Sequence, residues 1–334
     1  MQSLQKKWAA LALAGGLLCS VPAMAGQKLC VFDVLGAQGD IYSQMKDYQL
    51  AAHQWGADIE LKPYTDERIA SEDFKAGQCD GAVLTGLRAR QFNKFSGSID
   101  SIGAVTSYAQ LQEVINTMAS PKLDKYMESN GFEVAGISPM GAAYLFVNDR
   151  SINNVGKLSG KKIAVLDYDK AQAKMVQKVG AQPVSSDITN FAGKFNNGSV
   201  DIIAAPAAAF KPLELYKGLG TRGAIVRFPL AQLTVQIVIR ADKFPAGYGE
   251  KSRAYVASRF NKAMGVIKQA ENSIDPKYWM DLPQADKDKY MILLRDSRIS
   301  LTHDGIYDAK SMSLLKKVRC HDNAAAAECA DTLE

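Results

Sequence analysis

Residues 157–206 read KLSGKKIAVLDYDKAQAKMVQKVGAQPVSSDITNFAGKFNNGSVDIIAAP, and this stretch decides the fold. Its apolar run at 161–166 predicts a buried strand. Apolar residues then recur at every fourth position over 168–179, which predicts a helix that Gly180 ends. The first half of the stretch therefore indicates a β-strand followed by an α-helix.

The second half of the stretch repeats this alternation. A strand is expected at 183–185, and Asp187 is a suitable N-cap for a short helix over 188–195, with Gly198 as its stop. The continuous apolar run at 200–206 is typical of a central parallel strand that is covered on both faces. We interpret the whole stretch as a β-α-β-α-β unit.

A second copy of the unit lies upstream. Residues 55–57, WGA, correspond to VGA at 179–181, and FKAGQCD at 74–80 corresponds to FNNGSVD at 195–201. In each copy the Phe packs the last helical turn, the Gly takes the left-handed conformation that ends the helix, and a strand begins. Chance likeness of two helix ends is the alternative. Two copies predict an α/β protein with two doubly wound lobes and a central cleft, where ligands bind at the carboxyl ends of strands.

The length of 334 residues and the hydrophobic content of 47% allow two domains of ordinary size. We assign residues 26–145 to the first lobe and 146–229 to the second. Residues 230–249 are expected to contain a strand that returns to the first lobe. Residues 250–334 carry helical patterns and are expected to pack across both lobes.

The chain is expected to cross between the lobes twice. Strands predicted at 132–137 and 142–148 are separated by Ser138-Pro139-Met140-Gly141, where we place the first crossing. The return runs along 230–240, whose length and β-branched content suit a strand shared by both lobes. Two crossings make a hinge.

The N-terminus has the features of a signal peptide, with Lys6 and Lys7 before an apolar run at 8–18 and a small-residue site that predicts cleavage after Ala25. A membrane span is the competing interpretation, but the apolar run is shorter than the roughly 20 residues that a bilayer requires. We therefore expect residues 1–25 to be removed and the protein to be periplasmic. Removal takes away two lysines and no acid, so the formal charge falls from +5 to +3. So weak and scattered a charge argues against nucleic acid as a partner.

Four cysteines remain after cleavage, an even number in an exported chain. Cys30 lies on the first predicted strand and Cys79 at the start of the third. These strands are neighbours in a doubly wound sheet, so we pair the two cysteines. Cys320 and Cys329 then close a small loop. A metal site at Cys320, His321 and Cys329 is the alternative, although it lacks a fourth ligand.

Catalytic signatures are weak throughout the sequence. The three histidines do not stand at metal-binding spacing, and GISPMG at 136–141 has the wrong glycine spacing for a nucleophile elbow. No phosphate-binding loop, zinc set or dinucleotide fingerprint is present. We expect no catalytic residue, no metal and no cofactor, and a cleft enzyme is the less favoured function.

Two loops at the predicted cleft mouth carry polar candidates. The glycine-containing loop at 36–40 either receives an anion at a helix N-terminus or is a plain connection with Asp40 as its cap. After the third strand, Arg88 or Arg90 either clamps a carboxylate or phosphate through the guanidinium or is a solvated residue on a helix face.

An ordered set of motifs resembles a known family. The set is L-x-G-x-K-I-x-V from Leu158, G-A-x-P at 180–183, G-x-V-D at 198–201 and then Pro206. It resembles the second-lobe core of the DctP-type periplasmic solute-binding proteins of tripartite ATP-independent (TRAP) transporters, and within that family it is most similar to the AdeT-like solute-binding proteins, some of which are labelled as components of drug efflux. The likeness extends more thinly over 28–263. It implies a type II periplasmic-binding-protein-like fold.

The resemblance also implies which positions hold the ligand. The family uses an arginine on the strand after L-x-G-x-K-I, a second arginine ahead of that strand and an asparagine before the proline, and these positions fall at Ala164, near Ala143 and at Ala205. A buried carboxylate without a partner is unfavourable, so we do not expect a simple carboxylate ligand. Acidic and aromatic residues on the facing loop, 167–169, indicate a larger neutral or cationic ligand.

The sequence thus predicts a monomer that captures a small molecule and delivers it to the subunits of a membrane transporter. The first alternative is an exported accessory protein associated with drug (RND-type) efflux. Seven residues are our candidates for the ligand-binding cleft lining: Asp33, Gln38, Arg88, Tyr144, Asp167, Tyr168 and Phe210.

Overall fold

The structure, a computed structural model, describes residues 26–334. The predicted signal peptide and its cleavage after Ala25 lie outside the described residues. No helix within 26–334 is long and apolar enough to cross a membrane.

The strands of the described chain are β1 (Gln27–Phe32), β2 (Ile59–Tyr64), β3 (Gly81–Thr85), β4 (Glu128–Ser129), β5 (Phe132–Val147), β6 (Lys162–Leu166), β7 (Gln182–Ser186), β8 (Ile202–Pro206), β9 (Ala224–Val226), β10 (Ala231–Arg240) and β11 (Trp279–Met280).

The α-helices are α1 (Asp40–His53), α2 (Glu67–Lys75), α3 (Gly86–Ala89), α4 (Lys94–Gly97), α5 (Tyr108–Met118), α6 (Asp124–Met127), α7 (Lys170–Lys178), α8 (Phe191–Asn196), α9 (Tyr216–Leu219), α10 (Tyr248–Ser258), α11 (Phe260–Asn272), α12 (Gln284–His303) and α13 (Ala309–Asp322).

The main strands form one sheet in the order β2-β1-β3-β10-β5-β8-β6-β7. At one end β1 is parallel to β2 and β3, and at the other end β6 is parallel to β7 and β8. Between these ends, β10 and β5 are antiparallel to each other and to their outer neighbours. Each parallel end is the sheet of one lobe, and helices cover both of its faces. The two-lobed α/β class is therefore confirmed.

The first crossing differs from the prediction. One continuous strand, β5, replaces the two strands expected at 132–137 and 142–148, because the segment between them forms a bulge instead of a break. Leu233 pairs with Gly141 and Thr234 with Pro139, so Met140 is the extra residue, and Gly141 adopts a φ of +106°. A bulge takes up one residue without ending the strand. The return strand forms as expected and pairs with β3 and β5.

The unit at 157–206 folds as predicted with two corrections. Asp187 does not cap α8, because its carboxylate accepts the N–H groups of Thr189 and Asn190 in a preceding turn, at 2.8 and 3.0 Å, and the helix begins only at Phe191. The last strand, β8, is parallel to β6 but antiparallel to β5, so the expectation of a central parallel strand holds on one side only.

The internal repeat is confirmed in detail. Gly77 and Gly198 both have a φ of +77°. The Asp80 carboxylate accepts the N–H of Lys28 at 2.8 Å, and the Asp201 carboxylate accepts the N–H of Lys162 at 2.9 Å. In both lobes, then, the last residue of F-x-x-G-x-x-D fixes the start of the neighbouring strand.

Both disulfides form as predicted, with Cα–Cα distances of 5.9 Å for Cys30–Cys79 and 5.7 Å for Cys320–Cys329. In the C-terminal region, Leu294 of α12 belongs to a core cluster of the second lobe, whereas Leu301 of the same helix belongs to one of the first. The domain boundaries themselves stay a prediction.

Candidate functional site

A cavity of about 90 Å³ lies where the two lobes meet the crossing strands, and we call it the interlobe cavity. This volume is several times the roughly 10–15 Å³ that one water molecule requires. The first lobe contributes Leu87 and Ile102 to the wall, the crossing strands Leu145 and Leu233, and the second lobe Val165 and neighbouring residues of α7.

The wall is mostly aliphatic. Ile163 and Val165 of β6 contribute to the wall and belong to the core cluster that also contains Ile202 of β8. Among the described residues, the polar members of the wall are Asp100, Asp169, Gln172, Tyr290 and Tyr307. The part of the wall that the structure describes contains no lysine or arginine.

Asp100 is a buried carboxyl in this wall, with 3% of its surface exposed. It accepts the backbone N–H of Thr234 at 2.9 Å and the Thr234 hydroxyl at 2.6 Å. A side chain at Gly86 would collide with both groups, so the glycine makes room for them. Burial raises the pKa of Asp100 to about 7 because the Thr234 hydrogen bonds and the Arg90 charge only partly offset desolvation.

Asp169 has a cationic partner. Arg90 of the first lobe lies 3.3 Å from its carboxylate, which also caps α7 by accepting the N–H of Ala171 at 3.0 Å. The Arg90 guanidinium lies 5.0 Å from the ring centroid of Tyr307, another residue of the wall. Arg90–Asp169 therefore joins the two lobes at the edge of the cavity.

A second interlobe contact lies beside the first. The Tyr168 hydroxyl of the second lobe donates to Glu67 at 3.2 Å, and the Arg88 guanidinium stacks 3.7 Å from the centre of the Tyr168 ring. Burial and the Glu67 carboxylate raise the pKa of Tyr168 well above its usual value, so the hydroxyl stays a donor. We call the two contacts, Arg90–Asp169 and Glu67–Arg88–Tyr168, the interlobe latch.

The latch corrects the interpretation of the two arginines as solvated residues, whereas a ligand clamp by either of them stays a prediction. Arg88 is buried and paired with Glu67 at 3.1 Å, so it is not solvated, and its guanidinium is engaged within the protein. Arg90 is likewise engaged with Asp169. Asp167, at the start of the same loop as Tyr168, is exposed and outside the cavity wall.

The loop at 36–40 is neither an anion site nor capped by Asp40. Instead the buried Asp33 accepts the N–H groups of Leu35, Ile41 and Tyr42, and its carboxylate occupies the N-terminus of α1. Gln38 is exposed in the turn before this helix.

The remaining two candidates pack outside the cavity wall. Tyr144 donates to Glu271 at 2.9 Å, and Phe210 lies in a core cluster with Phe146. None of the seven candidate residues therefore belongs to the cavity wall, and their contact with a ligand stays a prediction. Of the three alanines at the resemblance's polar positions, Ala143 and Ala164 contribute to the wall and Ala205 does not.

Asp100 was not among the residues that the sequence predicted for the site. A signal existed, because Asp100 is the sole charged residue in the stretch FSGSIDSIGAV at 95–105. A lone acid among small and apolar residues indicates burial, and buried acids are rare. The aliphatic wall carried no such signal, since cavity-facing and core-facing residues of a strand look alike in sequence. No group of three or more metal-ligating side chains occurs within residues 26–334.

The family model described as solute-binding protein AdeT 1/2 matches residues 49–334. The chain is 53% identical over 300 residues to probable solute-binding protein AdeT1 of Acinetobacter baumannii, covering 90% of this chain and 99% of that protein. This chain belongs to the AdeT solute-binding protein family. It is also 30% identical to probable solute-binding protein AdeT2 of the same organism, over 70% of this chain and 98% of that one.

The fold of this AdeT family member matches a TRAP periplasmic solute-binding protein of Haemophilus influenzae that was solved with bound L-gulonate. The TM-score is 0.73 at 11% identity, over 87% of this chain and 99% of the other. The two-lobed architecture of this chain is therefore that of the TRAP solute-binding proteins.

Proposed function

We propose that this AdeT family member captures a small solute with a mainly apolar body in the interlobe cavity and delivers it to a membrane transport partner. The solute lacks a carboxylate. Closure of the two lobes over it follows from a higher affinity of the solute for the closed state than for the open one.

We infer the ligand class from one observation. The described wall of the cavity is mostly aliphatic and contains acidic but no basic side chains. A carboxylate enclosed there would lose its hydration without gaining a cation, and it would lie near Asp100 and Asp169. Apolar contact with residues such as Leu145 and Val165 instead favours a solute with an alkyl or aromatic body.

The setting is the periplasm. Support comes from the sequence features of residues 1–25 and from the two disulfides, which suit an oxidising compartment. TRAP solute-binding proteins with this fold are periplasmic. A monomer that carries its solute to transporter subunits is consistent with a site enclosed by a single chain.

The test is calorimetric titration of the purified mature protein with a panel of apolar amines, alcohols and organic acids. We expect binding of members without a carboxylate. Ala204 lies in the cavity wall and is exposed, so Ala204→Phe should fill the space and weaken this binding at least about tenfold, which corresponds to about 1.4 kcal/mol.

The matched control is Ala208→Phe, which places the same side chain at an exposed alanine outside the wall. Its affinities should equal those of the wild type. Preferred binding of organic acids, or equal affinity for the wild type and Ala204→Phe, would rule out the proposed function.

A further inference from the structure

The charged groups at the polar end of the interlobe cavity do not balance. Asp100 and Asp169 lie in the wall, and Arg90 is the cation beside them. Two carboxylates against one guanidinium leave one negative charge when all three are ionised. The nearby Glu67–Arg88 pair is neutral as a unit and does not alter this count.

Asp100 carries the uncompensated charge. Arg90 bonds to Asp169 through Nη1, whereas the hydrogen-bond partners of Asp100 in the described chain are the two neutral donors of Thr234. A carboxylate that is only 3% exposed is costly to ionise with neutral donors alone. The cavity therefore contains one carboxylate without a counter-ion, and the wall around it is mostly aliphatic.

We propose that Asp100 is the counter-charge for the cationic head group of the solute, so that the ligand class is a monovalent amine with an alkyl or aromatic body. This inference rests on the proposed function and deepens it. The aliphatic wall contacts the body of the solute. Its ammonium group supplies the positive charge that the protein does not place beside Asp100. Asp169 is excluded from this role because Arg90 already neutralises it.

Proton release should accompany binding. Burial raises the pKa of Asp100 to about 7, and the charged groups that act on it are Arg90 and Asp169, while Tyr307 lies in the same wall. An ammonium ion beside Asp100 favours the ionised carboxylate, which binds the cation. The affinity for an amine should therefore rise about tenfold from pH 6 to pH 8, a range in which a simple amine stays protonated.

Three probes of one shape and different charge test the inference: phenethylamine, the neutral phenethyl alcohol and the anionic phenylacetate. In calorimetric titrations at pH 8, the wild type should bind the amine best and phenylacetate worst. Asp100→Asn keeps the shape and the Thr234 partners, and it should weaken amine binding by about 10- to 100-fold while changing alcohol binding less than about threefold. The rise of amine affinity with pH should also disappear in this variant.

The matched control is Asp242→Asn, which removes the same charge from an exposed residue outside the wall. It should leave amine affinity unchanged, and thermal melting of both variants checks that they fold. Equal affinity for amine and alcohol, with both blocked by Ala204→Phe, would contradict the cationic head group and leave the proposed function standing. Strongest binding of phenylacetate, or no binding of any probe, would contradict both.

Discussion

At the scale of single residues, Asp100 sets the pH response of the free protein. Its folded-state pKa of about 7 is above the ordinary 3.8 of the unfolded chain, so the folded state binds more protons between these values. Stability must then fall as pH rises through this window. A neutral side chain of the same shape removes the effect.

We therefore predict that ionisation of Asp100 lowers the free energy of unfolding of the wild type by about 3 kcal/mol between pH 5 and pH 8. The Asp100→Asn variant should not show this loss. Urea unfolding of both proteins at the two pH values measures it. Parallel pH dependence of the wild type and the variant would show that Asp100 is already ionised without cost.

Contacts between side chains that are distant in the sequence were the least predictable feature of the protein. The partners Glu67 and Arg88 are 21 positions apart, and Tyr168 is 101 positions from Glu67. Periodicity reports which face of an element is buried, not which distant side chain it meets. The arginines were therefore recognised as notable, but their partners were not predictable. Asp33, a candidate for the cleft lining, accepts N–H groups at the N-terminus of α1.

At the scale of elements, the repeat gives each lobe the same hydrogen bond between an aspartate and the first strand. Asp80 and Asp201 occupy the same motif position and hold the first strand of their lobe through one side-chain acceptor each. The sequence predicted this equivalence because local turn chemistry is written in adjacent residues. The prediction of a break between two strands at Ser138–Gly141 was wrong. The residue types there suit a turn or a bulge, and only pairing with β10 selects the bulge.

Asp80→Ala and Asp201→Ala should each lower the free energy of unfolding by about 0.5–1.5 kcal/mol, since each removes the side-chain acceptor of a strand N–H. Urea unfolding is the measurement, with the exposed Asp242→Ala as a control that changes little. A loss confined to one of the two variants would argue against equivalent roles.

The interlobe latch also belongs to this scale, because it joins the loop after β6 to α2 and α3. Tyr168→Ala removes the hydrogen bond to Glu67 and the stacking of Arg88. We expect a larger radius of gyration in solution scattering of the ligand-free variant, since each contact contributes about 0.5–2 kcal/mol to closure. Tyr216→Ala, a change of an exposed tyrosine, is the control. An unchanged scattering profile for Tyr168→Ala would mean that other contacts hold the lobes.

At the scale of the whole molecule, the fold was the most predictable feature. Two β-α-β-α-β units and a shared return strand predicted two lobes with a cleft between them, and the resemblance carried by the segment 158–206 indicated the same class. That the two lobes share one continuous sheet was not predicted. The side chains that line the cavity were not predictable in this way, because they depend on where apolar residues leave space when the two lobes pack together.

The most direct measurement of the central claim is a crystal structure of the protein with the solute that it retains when purified from its periplasm. We predict that the solute lies in the interlobe cavity, with its apolar body against Leu145 and Val165, its basic group beside Asp100 and the latch closed. A carboxylate solute, or a solute bound outside this cavity, would contradict it.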